Sequence, residues 1–118
     1  MISLPEGRVP STMFWILADG TVAGMLRMRH HLNDALRIKG GHIGYYVSPR
    51  WRRRGVARAA LGLALRELLG HGELRALLTT YPDNVGSIRV IEGHGGRLTA
   101  QVPDPEGGII SQYWIALG

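Results

Sequence analysis

Cysteine is absent from the 118 residues, which excludes thiol catalysis, disulfides and cysteine-ligated metal sites. Lysine is nearly absent as well. Lys39 is the only one, so the net charge of +5 rests almost wholly on arginine. No apolar run reaches membrane-spanning length before Gly, Arg or Asp breaks it, and no membrane segment is expected. The opening MISLPEGRVP lacks the basic start and apolar block of a secretory signal, so a cytoplasmic protein is the expectation. What remains is a core-forming composition, 45% hydrophobic and 19% charged, of a length that suits one domain over residues 1–118.

After the Pro- and Gly-containing lead, residues 12–18 (TMFWILA) are β-branched and aromatic, the composition of a strand. Asp19-Gly20 signals a tight turn, and TVAGMLRMRH follows as its antiparallel partner. Residues 31–41 are polar and poorly periodic, a loop or a short helical turn. GHIGYYV at 41–47 reads as the third strand. From Gly55 to Leu69 the period changes: Val56, Ala57, Ala60, Leu61, Ala64, Leu65, Leu68 and Leu69 recur at spacings of three and four, an amphipathic helix of strong helix formers. LRALLTT at 74–80 is a strand of buried character. Asp83 or Asn84 caps a second helix that presents Ile88 and Ile91 to the core and ends at Gly93, Gly95 and Gly96. Strands at 97–102 and 109–117 close the chain. The expected order is β-β-β-α-β-α-β-β, an α+β domain on a mixed sheet.

The one dense cluster of charge is Arg50, Arg52, Arg53 and Arg54, between the end of a strand and the start of the long helix. The first N–H groups of a helix have no internal partners and favour an anion. Gly55 would let a phosphate approach the backbone, and the small Ala57 and Ala60 keep the first turn uncrowded. Arginines add charge-assisted bonds. The pattern points to a phosphate or diphosphate site, against the plainer reading of a solvated basic loop. It is neither a P-loop, which ends in Lys-Ser or Lys-Thr, nor the three-glycine dinucleotide fingerprint. Nucleic acid is not the expected partner, since no basic recognition helix and no interleaving of aromatic with basic residues occurs.

Arg52-Arg53-Arg54-Gly55-Val56-Ala57 resembles the Arg/Gln-x-x-Gly-x-Gly/Ala signature of the GCN5-related N-acetyltransferase (GNAT) superfamily, preceded by Val47-x-Pro49. A second block, Asn84-x-x-Ser87 followed by Gly95-Gly96, is similar to the family's next strand and helix. The resemblance runs from about residue 13 to the end, closest to a subgroup of bacterial predicted acetyltransferases. It implies a three-layer α/β/α fold with a mostly antiparallel sheet, acetyl-CoA as cofactor, and transfer of an acetyl group to a small-molecule or peptide amine. It also implies site residues. The backbone from Arg53 through Arg54, Gly55 and Val56 to Ala57 would hold the pyrophosphate, with Arg52 at the start of the loop. Val47 would pair with the pantetheine arm between two splayed strands, and Asn84 and Ser87 would contact that arm. The last two have ordinary roles too, Asn84 as a helix cap and Ser87 in a local bond.

Two departures stand out. The family's usual amino-terminal strand and helices, which build much of the acceptor pocket, are not expected before the first hairpin, being either absent or part of residues outside this chain. Their loss would expose apolar sheet surface and favour a homodimer. The family's frequent acid, a tyrosine on the second helix, is replaced by Ile91, and Gly95-Gly96 replaces Gly-Phe. The general base and acid stay open: His30, His31, His42, Tyr45, Tyr46 and His94 are candidates by chemistry alone, each with a plainer structural reading. No histidine spacing suggests a metal site. The alternative to an N-acetyltransferase is a degenerate GNAT domain that binds acyl-CoA or regulates without transferring.

Overall fold

The computed structural model describes residues 10–118, so the lead at 1–9 lies outside the described residues. Its elements follow in the order β1 (Ser11–Ala18), β2 (Thr21–Arg29), α1 (Asp34–Ile38), β3 (Ile43–Val47), α2 (Val56–Gly70), β4 (Arg75–Thr80), α3 (Val85–Gly93), β5 (Arg97–Pro103) and β6 (Ile109–Ala116). A 3-10 turn, Pro49–Trp51, joins β3 to α2. The order is the expected one, and the ambiguous segment after β2 resolves as the short α1. Asn33 caps it by accepting the Leu36 N–H at 2.9 Å.

The strands form two antiparallel sheets, β1-β2-β3 and β4-β6-β5. Alternation sends Ile16, Leu26, Met28, Ile43 and Val47 to one face of the first sheet, and Ala76, Leu78, Tyr113 and Ile115 to the matching face of the second. Leu61, Ala64, Leu65 and Leu68 of α2 and Ile91 of α3 close over both, giving one core. Ala and Leu recur along α2 at helical spacing, so its inner stripe is continuous. Losing one of these leucines to alanine would cost about 2–5 kcal/mol.

The opposite face is treated unevenly. Over the second sheet lies α1, whose Arg37 and Ile38 carbonyls accept from Gln112 Nε2 at 2.8 and 3.2 Å. This completes three layers, the outer one reduced to five residues. Over the first sheet no described residue packs as a helix. Trp15, Met25 and Tyr46 stand in register across it, with Trp15 61% and Tyr46 51% exposed. The outer edge of β1 pairs with no strand among the described residues. Between that edge and α2 runs an apolar groove of about 610 Å³, lined among others by Phe14, Ile16, Val56, Ala60 and Leu63.

The sheet is interrupted between β3 and β4, where the resemblance implies splayed strands. Sheets one and two meet where His42 donates its N–H to the Leu77 carbonyl at 2.7 Å, and Leu77 donates its N–H to His42 Nδ1 at 2.9 Å. Beyond this joint β3 and β4 share no ladder. The third strand also begins at Ile43 and not at residue 41. Gly41 turns the chain at φ 62°, and a side chain there would collide with the Leu77 carbonyl.

Candidate functional site

The arginine cluster sits at the amino end of α2. Gly55 is the N-cap in a left-handed conformation (φ 77°), no side chain caps the helix, and its first turn carries no acid. Arg53 is also left-handed, at φ 61°. A non-glycine residue held there costs about 1–2 kcal/mol, and such strain persists where the surroundings enforce it. Successive turns of this kind present backbone N–H groups to an anion. Here the loop's surroundings are aromatic. Trp51 is buried, with the Arg50 and Arg54 guanidinium groups 5.6 and 5.3 Å from its ring. Its Nε1 is the one buried side-chain polar atom without a partner among the described residues. Arg52 donates from Nε to the Val47 carbonyl at 2.9 Å and lies 5.5 Å from the Tyr46 ring. Arg50, Arg52 and Arg54 are therefore held in place, unlike arginines of a freely solvated loop, and the cluster concentrates positive charge on an uncapped helix terminus.

The gap between β3 and β4 opens beside this loop. Ser48 donates its N–H to Ala23, and Arg29 donates to the His42 carbonyl, which fixes the phase of β3. Residues 44 and 46 turn their backbone groups to β2, while Ile43, Tyr45 and Val47 turn theirs into the gap. On the other side Thr79 faces it, both backbone groups of Leu77 being taken by His42. An extended ligand laid there would find backbone donors and acceptors on both walls. The Val47 carbonyl already serves Arg52, which leaves its N–H as the group for such a ligand.

Asn84 and Ser87 close the gap from α3. Asn84 caps the helix by accepting the Ser87 N–H at 3.2 Å, the plainer of its two readings. Ser87 Oγ bonds the hydroxyl of Tyr45 at 3.0 Å, a contact that ties β3 to α3. Sequence periodicity gives no sign of it, because 42 residues separate the partners. Burial pushes the Tyr45 hydroxyl above its ordinary pKa, and the bond to Ser87 partly offsets this.

The histidines fall elsewhere. His42 is buried, and burial holds its pKa below the usual value, with Glu73 opposing and Arg37 and His31 adding to the effect. Its Nδ1 lone pair is engaged by Leu77 N–H, so the neutral ring carries its proton on Nε2, 3.9 Å from Glu73. That arrangement removes it as a ready base. His30 bonds Thr12 Oγ1 at 2.8 Å and stacks on His71. His31 lies 3.9 Å from Glu73, and His94 Nε2 contacts the Arg58 carbonyl at 2.8 Å. Tyr46 lies on the open sheet face. Ile91 is buried in the core and supplies no proton.

One cluster had no sequence signal beyond its turn composition. Asp104, in the β5–β6 loop, accepts from the Glu106 N–H at 2.9 Å and the Tyr81 hydroxyl at 3.0 Å, and pairs with Lys39 Nζ at 3.3 Å. Lys39 reaches Glu106 as well, at 3.1 Å. These bonds hold the Asp104 carboxyl below its usual pKa, the Glu106 N–H contributing most, against burial. They bind the segment before β3 to the far end of the second sheet.

The sequence model of the acetyltransferase (GNAT) family matches residues 3–95, and the chain belongs to that family. Comparison with curated proteins gives no match. Among solved structures the chain is similar to Mycobacterium smegmatis RimJ in complex with CoA-disulfide, at 26% identity and a TM-score of 0.75, covering 90% of this chain and 53% of that one. It is also similar to yncA from Salmonella typhimurium with its cofactor acetyl-CoA (22% identity, TM-score 0.69, 85% of this chain and 61% of that one). A third is the ribosomal-protein-S18-alanine N-acetyltransferase from Escherichia coli (18%, 0.69, 92% and 70%). The chain thus spans only 53% and 61% of the first two.

Proposed function

We propose that the chain is an acetyl-CoA-dependent N-acetyltransferase acting on a small-molecule or peptide amine. The observation that carries this reading is the uncapped α2 terminus, with Arg53 and Gly55 in left-handed conformations, opening beside an interrupted sheet. A diphosphate fits the first element and an extended amide chain fits the second. The backbone of residues 53–57 holds the pyrophosphate, with Arg52, Arg53 and Arg54 neutralising its charge. Val47 N–H and the amide of Asn84 bind the arm. Acetyl-CoA supplies an activated acetyl thioester. The protein's part is to fix that thioester against the amine, where positioning provides most of the rate. Backbone N–H groups of the gap meet the oxygen on which charge develops.

Residues 1–118 act as one domain in this reading, in the cytoplasm where the cofactor is made. The face of the first sheet and the edge of β1, both uncovered among the described residues, support self-association as a homodimer. The second reading, a domain that binds acyl-CoA without transferring, draws on buried Ile91 at the acid's usual place.

Calorimetric titration with acetyl-CoA tests the cofactor site. Saturable binding is expected, and an Arg52→Ala, Gly55→Glu variant that remains folded should lose it. Release of free CoA on adding a panel of amines then separates transfer from binding alone. Absence of binding to the folded wild type at millimolar cofactor would sink the proposal.

A further inference from the structure

The Tyr45 hydroxyl crosses from β3 to α3 and meets Ser87 there. Residue 45 shares its phase with buried Ile43 and Val47, so its side chain leaves on the helix side while its backbone groups face the gap. Ser87 lies one turn before Ile91 on the same stripe of α3. The hydroxyl therefore stands where the helix overlooks the opening between the sheets. Of the neighbouring groups Val47 and Ile91 are apolar, Asn84 is an amide, and Thr79 Oγ1 already accepts from Gly40 N–H at 2.9 Å. Tyr113, the other phenol of this core, is buried on β6, one strand further from the gap. A serine hydroxyl is far less acidic than a phenol, so Ser87 is better suited to hold the donor than to be one.

Resting on the acetyl-CoA reading above, we infer that the Tyr45 hydroxyl is the proton donor to the departing sulfur, with Ser87 as its positioning residue. The acceptor nitrogen forms a bond to the acetyl carbon, the carbon–sulfur bond breaks, and its electron pair goes to sulfur. Sulfur takes the Tyr45 proton. The tyrosinate regains a proton from the nitrogen as the amide forms, directly or through water, so nothing else is consumed. The raised pKa of Tyr45 keeps the donor protonated at neutral pH.

The test uses CoA itself, whose free thiol is the product end of the reaction, and needs no acceptor. Thiolate absorbance of bound CoA is titrated by difference against ligand-free protein, in wild type, Tyr45→Phe and Ser87→Ala. Tyr45→Phe keeps the ring and loses one hydroxyl, and circular dichroism checks its fold. A phenol that donates to sulfur stabilises the thiolate. Bound CoA in wild type should therefore ionise about one pH unit lower, a tenfold change in its ionisation constant, than in Tyr45→Phe. Ser87→Ala, which keeps the phenol but removes the partner that holds it, should shift the titration in the same direction as Tyr45→Phe but by less. Equal titration in wild type and Tyr45→Phe, with CoA bound to both, overturns the proton-donor role and leaves the cofactor reading intact. Tighter CoA binding in Tyr45→Phe with an unmoved titration makes the pair a latch and also overturns it. A Ser87→Ala titration identical to that of wild type overturns the positioning role of Ser87. Failure of wild type to bind CoA removes the cofactor reading and this one together.

Discussion

His42 and Leu77 exchange two bonds, backbone to backbone at 2.7 Å and ring to backbone at 2.9 Å, and these join the two sheets. His42→Ala leaves the buried Leu77 N–H without its acceptor. Such a group costs about 1–3 kcal/mol, to be read as a lower midpoint in urea.

The same residue makes stability depend on pH. Its folded pKa is depressed, so folding favours the neutral ring. The contribution is complete above the unfolded value of about 6.5 and is lost as pH falls through the lower folded value. Urea titrations at mildly acidic and neutral pH should show a larger loss in wild type than in His42→Ala. An identical loss in both would exclude His42 as the source.

Asp104 acts in a lower window. Its depressed pKa means that its contribution is present above the unfolded carboxylate value of about 3.9 and disappears as pH drops further. Asp104→Asn should flatten the acid limb of the stability curve and leave the limb around His42 unchanged.

Binding of acetyl-CoA should weaken as salt is raised, since the arginines of the α2 loop are exposed and their attraction is screened. Arg52→Ala should reduce both the affinity and its salt dependence. Calorimetry at low and high salt measures both, and a salt-independent affinity would count against pyrophosphate binding by this loop.

The open face of the first sheet sets the fifth expectation. Trp15→Glu places a charge at the β1 end of the Trp15–Met25–Tyr46 row, on its most exposed residue. Sedimentation should show association in wild type and a shift toward monomer in the variant, with the fold unchanged.

Much of the fold is legible in the sequence because its signals are local. Asp19-Gly20, the Ala/Leu periodicity from Val56 onward and the cap at Asn84 each specify an element within a few residues, and each stands where expected. The arginine loop is legible for the same reason, as a compact run beside a glycine. The joint at His42, the Tyr45–Ser87 bond and the anchoring of Arg50 and Arg54 on Trp51 are not. The first two pair residues 35 and 42 apart, and the third depends on which way an indole turns. The break between the sheets is likewise a matter of register between strands, which strand propensity does not encode.

The isolation of Lys39 has a chemical consequence. A protein that handles an activated acetyl group exposes its own amines to acylation, and an amine must shed its proton before it can attack. In this chain the only lysine side chain lies against Tyr81, Glu106 and Asp104, which together hold it as an ammonium ion with no free electron pair. Elsewhere positive charge is carried by guanidinium groups, which stay protonated and do not compete as nucleophiles. Of all the side chains here, therefore, the one amine that transfer could modify is kept in its unreactive form by the contacts that fasten the β5–β6 loop.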